Sequence, residues 1–191
     1  MAILIELKRN EQVQQDASNS FLLELGISLK EENSTSNRRK WAEMIVEKKI
    51  AVMSLMNLLQ CEAPIPIRFT WLIGDLCEIA PAMVAPAIPH FYAVRNTILF
   101  PNFDRSLAKM YWLCGIPLEM EGKVIDELFQ LLMDPMISVS TKNYALSALF
   151  DFTKHQPDLK SELRLVLEDQ LHKNSVSFEK HALKLLKRWD G

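Results

Sequence analysis

Four side chains that can do chemistry lie close together in the middle of the sequence: Asp75, Cys77, Glu78 and His90. In a helix Asp75 and Glu78 share one face, so the group could bind a metal ion or transfer protons. In the structural alternative, Cys77 is a small core residue, the two carboxylates face solvent or pair with basic residues, and His90 caps or lines a helix. We expect the structural alternative, because buried cysteine is common and carboxylates are rarely buried unpaired.

The remaining spacings give no catalytic or metal-binding motif. The histidines stand at 90, 155, 172 and 181, and no His-x-x-x-His or Cys-x-x-Cys pair would place two ligands on one helical face. We therefore predict no catalytic residue, no metal and no cofactor. Trp71 has two interpretations, since it either fills the core or projects from an edge as a binding anchor.

The elements that carry these side chains follow a repeat of 37 residues. Three copies share a charged residue, an alanine three positions later and an apolar residue four positions after that. The copies are Arg105, Ala108 and Trp112; Lys142, Ala145 and Leu149; and Glu179, Ala182 and Leu186. A degenerate fourth copy has Arg68, Trp71 and Asp75. Periods of 20 to 50 residues are typical of stacked supersecondary units.

Each repeat has the pattern of a helical hairpin. Tyr144 to Phe152 carries one apolar face, Pro157 breaks the helix, and Leu159 to Leu171 carries a second apolar stripe. Pro81 and Pro117 punctuate the earlier units in the same way, so each proline is expected to open a second helix. In the unit of Pro81 that second helix is expected to start late, at Ile88.

The segment Thr141 to Leu149, preceded by Asp134-Pro135, resembles the HEAT and armadillo repeat families. The resemblance covers roughly residues 60–191 and implies an all-α fold, a right-handed α-solenoid of four to five HEAT-like hairpins. We expect one domain over 1–191, with an N-terminal helical cap at 1–60 and repeats at 61–191. The layout also resembles small bacterial helical-repeat proteins sometimes labelled adenylosuccinate lyase, although the Gly-Ser-Ser-x-Met-Pro loop of that enzyme family has no counterpart here.

Two helices are predicted in the cap. The first runs from Ser20 to Glu32 with Asn19 or Ser20 as its cap, and the second from Arg38 to Gln60, where only Lys48 interrupts an apolar stripe. The polar residues 33–37 between them predict an exposed loop. Residues 1–18 are open to two interpretations, a short helix or a loosely docked arm.

Composition predicts a soluble globular protein. Of 191 residues, 49% are hydrophobic and 24% charged, and the longest mostly apolar stretch, 79–89, is too short to cross a membrane. The start has no basic region of the kind that opens a secretory signal. Three cysteines, Cys61, Cys77 and Cys114, favour free thiols and a cytoplasmic location.

Charge argues against nucleic acid as the partner. The formal net charge is −2, and residues 61–134 contain 5 basic and 9 acidic residues. A duplex-binding surface needs a dense basic footprint. The best local candidate is a stripe in the last helix, made of Lys180, Lys184, Lys187 and Arg188. We interpret it as a solvated face, with anion binding as the alternative.

The sequence therefore predicts a non-enzymatic protein-binding or scaffold module, with a protein or peptide partner and no nucleic acid or membrane. Polar stripes on the second helices form the expected binding surface: Lys123, Asp126, Glu127 and Gln130 in one unit, and Lys160, Arg164, Glu168 and His172 in the next. The alternative is an enzyme. It would be either a HEAT-like DNA-alkylation repair glycosylase, implied by resemblance through Trp and Asp residues, or a lyase.

Overall fold

The computed structural model describes residues 19–97 and 103–190, and over these ranges the chain consists of helices and turns without a strand. The predicted all-α class is confirmed. Contacts within the chain divide it into two compact units, Met1–Met83 and Val84–Gly191. The alternatives weighed for residues 1–18 lie outside the described residues, and the expected division at residue 60 stays a prediction.

Between residues 19 and 79 the first unit is built from three long helices and one long 3₁₀ helix. Helix α1 covers residues 19–31, α2 covers Thr35–Glu47, a 3₁₀ helix covers Val52–Gln60, and α3 covers Ile65–Ile79. Both α2 and the 3₁₀ helix pack against α3. Fully buried side chains from all of these elements form the core, among them Leu25, Leu29, Ile45, Leu55, Leu72 and Ile73.

Polar contacts fasten α1 to its neighbours. The indole nitrogen of Trp41 donates a hydrogen bond of 2.7 Å to the Ser28 hydroxyl. Arg68 donates to the carbonyl oxygens of Leu29 and Lys30 at 2.9 and 3.0 Å. The last carbonyls of a helix have no partner within the helix and carry partial negative charge. Arg68 therefore stabilises the C-terminal end of α1 by donating to two of these carbonyls.

The predicted helix from Arg38 to Gln60 is wrong in its second half. Helix α2 ends at Glu47, and the chain turns through Lys48 and Lys49, whose φ of 54° lies in the left-handed region. A continuous helix would point the Lys48 ammonium group into the apolar stripe, whereas the turn leaves Lys48 exposed. Val52 and Leu55 are nevertheless buried as expected, from the 3₁₀ helix.

The predicted loop over residues 33–37 is also too long, because α2 already begins at Thr35. The Ser34 hydroxyl accepts a hydrogen bond of 3.0 Å from the backbone N–H of Asn37, so Ser34 caps the helix. The expected caps of α1, Asn19 and Ser20, both lie inside that helix. The Ser20 hydroxyl donates instead to the Glu24 carboxylate at 3.0 Å.

The described residues of the second unit form one short helix and five long ones. Helix α4 (Pro81–Val84) crosses the boundary between the units, and a 3₁₀ turn at Ala85–Ala87 leads into the short helix α5 (Ile88–Val94). The long ones are α6 (Phe103–Cys114), α7 (Glu121–Met133), α8 (Val139–Phe152), α9 (Leu159–Gln170) and α10 (Val176–Asp190). Within this unit α6 packs on α8 and α8 on α10, while α7 packs on α8 and α9.

The prolines that were expected to open second helices lie near helix starts, but only in part as predicted. Helix α5 starts at Ile88, as predicted, and Pro81 opens only the four-residue α4. Pro117 stands immediately before a 3₁₀ turn, Leu118–Met120, that leads into α7. Pro157 lies two residues before α9. The second and third prolines therefore precede a second helix without occupying its first position.

The alanines of the repeat lie where the helices of the second unit meet. Ala108, Ala145 and Ala182 each have no solvent exposure. Side chains of this size let two helices approach closely without leaving a cavity. The apolar position four residues later is buried at Leu149 and Leu186, whereas Trp112 remains partly exposed and stacks on Tyr144 at 5.8 Å between ring centroids.

Two glycine substitutions are expected to change stability in opposite directions. Gly26 lies within α1, and an added Cβ would meet Leu58 at an ordinary 3.5 Å. Gly26→Ala should therefore stabilise the protein by roughly 0.5–1 kcal/mol. Gly115 has a φ of 87°, so Gly115→Ala should destabilise it by roughly 1–2 kcal/mol although nothing lies near its Cβ. Urea unfolding measures both changes in the free energy of unfolding. Two changes of the same sign would contradict the helical conformation of Gly26 or the left-handed conformation of Gly115.

Candidate functional site

The residues of the predicted polar stripes lie on α7, α9 and the short 3₁₀ turn after α9. Lys123, Asp126, Gln130, Glu168 and His172 are exposed, as expected of a binding surface. The others, Glu127, Lys160 and Arg164, are half-buried. A side chain that already makes a contact within the protein is less available to bind a partner.

Glu127 on α7 is bound by Tyr92 of α5 and by Arg95, the residue that follows α5. Its carboxylate accepts hydrogen bonds from both terminal nitrogens of Arg95, at 2.5 and 2.7 Å, and from the Tyr92 hydroxyl at 2.7 Å. Arg95 and Lys123 also lie over the Tyr92 ring, at 4.1 and 5.1 Å from its centroid. This cluster fastens α5 to α7, so Glu127 has a structural role that the sequence did not indicate.

The charge state of Glu127 follows from these contacts. Partial burial favours its neutral form, but the hydrogen bonds from Arg95 and Tyr92 outweigh burial and lower the pKa of Glu127 below its ordinary value. The hydrogen bond with Glu127 in turn raises the pKa of Arg95, against the opposing effect of burial. Both groups are therefore ionised at neutral pH.

Tyr111, a residue of α6, lies near the ion pair between Arg95 and Glu127. Its side chain is buried, and its hydroxyl has no hydrogen-bond partner in the part of the chain that the structure describes. Burial raises the pKa of Tyr111, and the negative charge of Glu127 acts in the same direction. The phenol stays neutral, and its unpaired hydroxyl is an unfavourable feature of the core.

The basic residues on α9 pack against the end of α10. Lys160 and Arg164 lie over the Trp189 ring, at 5.5 and 5.9 Å from its centroid, and Lys160 also donates to the Trp189 carbonyl at 3.4 Å. Trp189 stacks on Phe150 of α8 at 5.0 Å. Cations over aromatic rings stabilise such contacts. The α9 stripe is thus partly a packing surface, and its predicted role in binding stays a prediction.

The acidic group around Cys77 has the structural arrangement that the sequence analysis favoured. Asp75 pairs with Arg38 at 3.0 Å, Glu78 pairs with Arg39 at 3.7 Å, and Cys77 is buried. His90 lies exposed on α5, in the second unit. Within residues 19–97 and 103–190, no group of three or more His, Cys, Asp or Glu side chains could hold a metal ion.

An apolar groove on the first unit was not predicted from the sequence. Its volume is about 350 Å³, and it lies between α1, the 3₁₀ helix and the start of α3. The lining residues are Asn19, Leu22, Leu23, Gly26, Ile27 and Lys30 of α1, with Asn57, Leu58, Cys61 and Ile65 opposite. The α1 residues recur at positions i, i+3, i+4, i+7, i+8 and i+11, so one helical face forms the whole of one wall.

The groove stays open because large apolar side chains border it without filling it. Leu23 is 66% exposed and Ile27 is 48% exposed. Gly26 lies between them and has no side chain, which leaves the α1 backbone accessible beside the buried Leu58. Exposed apolar side chains gathered along one face are typical of an interaction surface.

The pattern of apolar residues along α1 could have revealed the groove. Phe21, Leu22, Leu25 and Leu29 are apolar residues of the predicted first helix. Leu23 and Ile27 add a second apolar stripe, so α1 has more apolar surface than one core contact can cover.

Comparisons leave these geometric features as the basis for any functional argument. No protein-family model, curated protein or solved structure matches this chain. The resemblance to HEAT and armadillo repeats therefore stays a prediction. Among the described residues no helix is both long enough and apolar enough to cross a membrane.

The Glu127 cluster predicts a stability difference that depends on pH. A folded-state pKa below the unfolded value means that the carboxylate stabilises the fold at neutral pH and that this effect disappears as pH falls through the folded pKa. Glu127→Gln should cost about 1–3 kcal/mol at pH 7, since hydrogen bonds to charged groups contribute that much. Urea unfolding should show wild type and variant converging below about pH 4.

Glu168→Gln is the control for that measurement, because Glu168 is exposed on α9. It should leave unfolding almost unchanged at every pH. A constant difference between Glu127→Gln and wild type down to acid pH would show that the ion pair does not carry the effect.

Two tyrosine substitutions near this cluster should act in opposite directions. Tyr111→Phe removes a buried hydroxyl that has no partner, so it should stabilise the protein by about 1 kcal/mol. Tyr92→Phe removes a donor to Glu127 and should destabilise it by about the same amount. Thermal unfolding of both variants tests this. Destabilisation by Tyr111→Phe would mean that its hydroxyl is paired.

Proposed function

We propose that this chain is a HEAT-like α-solenoid that acts as a non-enzymatic protein-binding module, and that its groove on the first unit holds an apolar ridge of a partner protein. The observation that carries the proposal is the groove itself, with Leu23 and Ile27 exposed along its border. The free thiols of its three cysteines are compatible with a cytoplasmic location.

The second unit supports the repeat arrangement. Its helices α6, α8 and α10 contact one another in sequence order, and they begin at Phe103, Val139 and Val176, close to the predicted period. Side chains also pair with residues about one repeat ahead. Lys142 donates to Asn174 at 2.8 Å, and Ser147 lies 3.0 Å from His181. Neighbour-to-neighbour contacts of this kind are typical of solenoids.

The form of the groove favours a protein ligand. One wall is a single face of α1 running over three helical turns, and the lining is almost entirely apolar. An amphipathic helix docks into such a groove by placing side chains at i, i+3, i+4 and i+7 into it. Gly26 would let that helix approach the α1 backbone, while Lys30, Asn19 and Asn57 offer polar contacts at the border.

Contacts made by the ionisable side chains favour binding over catalysis. Asp75 and Glu127, which could act as an acid or base, are both paired with arginine. The first ion pair joins α2 with α3, and the second joins the residue after α5 with α7. Such carboxylates are positioned to hold the fold together.

A matched pair of aspartate substitutions tests the groove. Leu23→Asp should reduce recovery of the partner in quantitative affinity capture at least about tenfold, because buried apolar anchors commonly contribute 2 kcal/mol or more to binding. Leu165→Asp is the control, since Leu165 on α9 is 67% exposed against 66% for Leu23. It should leave recovery unchanged.

A photo-crosslinking amino acid introduced in place of Asn57 should crosslink the same partner when the rest of the chain is wild type. The crosslink should disappear when Leu23→Asp is added. Circular dichroism checks that both aspartate variants fold. Equal loss of capture in the two variants, or unchanged capture in Leu23→Asp, would contradict binding in the groove.

A further inference from the structure

We infer that a second copy of this chain docks on the first through α1 of one copy and α10 of the other, joined by complementary charges. The inference goes beyond partner binding and rests on the spacing of charged residues, although Ile27 also lines the groove. Two exposed strips carry the same spacing with opposite charge: acidic, apolar, acidic on α1 and basic, apolar, basic on α10.

The strip on α1 consists of Glu24, Ile27 and Glu31. These residues stand at i, i+3 and i+7, so they share one face of the helix. Both glutamates are exposed, and Ile27 is 48% exposed. Glu24 accepts a hydrogen bond from Ser20 one turn earlier, which leaves its carboxylate at the surface.

The strip on α10 consists of Lys180, Leu183 and Lys187, again at i, i+3 and i+7. Both lysines are exposed, and Leu183 is 40% exposed. The opposite side of α10 is buried through Phe178, Ala182 and Leu185. The strip therefore faces outward, on the side of α10 for which the sequence predicted a solvated basic face, with anion binding as the alternative.

When the two helices are aligned in parallel, each residue of one strip faces a complementary residue of the other. Glu24 then faces Lys180, Ile27 faces Leu183, and Glu31 faces Lys187, since the spacings are identical. Antiparallel alignment keeps the two ion pairs but places Ile27 opposite Lys184. The parallel register buries the two exposed apolar side chains against each other and removes both from water.

The contact joins two different surfaces, so each copy keeps one strip free for the next. Such heterologous contacts build open chains of copies unless the rotation closes a ring. A pair of short helices buries less than the roughly 800 Å² per partner of a standard interface, so association should be weak and visible only at high protein concentration. Because charges steer it, association should fall as salt rises.

Charge exchange between the strips provides the test, by sedimentation velocity over a range of concentrations. Wild type should associate at low salt. The doubly substituted Lys180→Glu/Lys187→Glu chain should associate about tenfold more weakly, and so should Glu24→Lys/Glu31→Lys. The chain with all four substitutions should recover association, because the charges are then exchanged and remain complementary.

Lys40→Glu/Lys48→Glu is the matched control, since both lysines are exposed in the first unit and the change in net charge equals that of the first variant. It should associate like wild type. Association that survives either double reversal, or that is not recovered in the fourfold variant, would overturn the inference. So would a wild-type chain that remains monomeric at every concentration or associates independently of salt.

Discussion

Close approach of helices at fully buried alanines is the constraint on which the second unit depends. Ala108, Ala145 and Ala182 lie on α6, α8 and α10, which contact one another in order along the chain. A larger side chain at any of them would separate two helices or strain both, and a charged one would add desolvation of several kcal/mol. Because a domain has only about 5–15 kcal/mol of stability in total, the period of the alanines is a physical requirement of the packing.

Polar side chains then fix how the helices meet. Arg38 on α2 pairs with Asp75 on α3, and Arg95, which follows α5, pairs with Glu127 on α7. Lys142 is buried to 2% exposure, and its ammonium group reaches Asn174 at 2.8 Å. Burial disfavours its charged form and lowers the pKa of Lys142. Such pairs contribute little net stability, but removing one partner leaves an unpaired buried group. They favour one arrangement of the helices over its alternatives.

Much of this fold could be predicted from periodicity, because a buried stripe repeats at 3.6 residues wherever a helix packs on one side. The buried face of α8 is an example, whereas the late start of α5 at Ile88 was predicted from the prolines before it. The predicted continuation of α2 was wrong because the same stripe also describes a helix, a turn and a 3₁₀ helix in succession. Only Lys48 distinguished the two. Pairing of Glu127 with Arg95 was inaccessible, since it depends on which helices become neighbours.

The groove escaped prediction for a related reason. A single apolar stripe is enough to explain why a helix packs against a core, and α1 has such a stripe without Leu23 and Ile27. Leu23 and Ile27 form a second stripe. Both side chains remain largely exposed, so they contribute little to the stability of the described unit. Exposed apolar side chains favour association, which brings a risk of nonspecific contact unless charges select the partner. In the association that we infer, Glu24 and Glu31 beside that stripe supply such selection, because a surface with basic residues at matching spacing pairs with both.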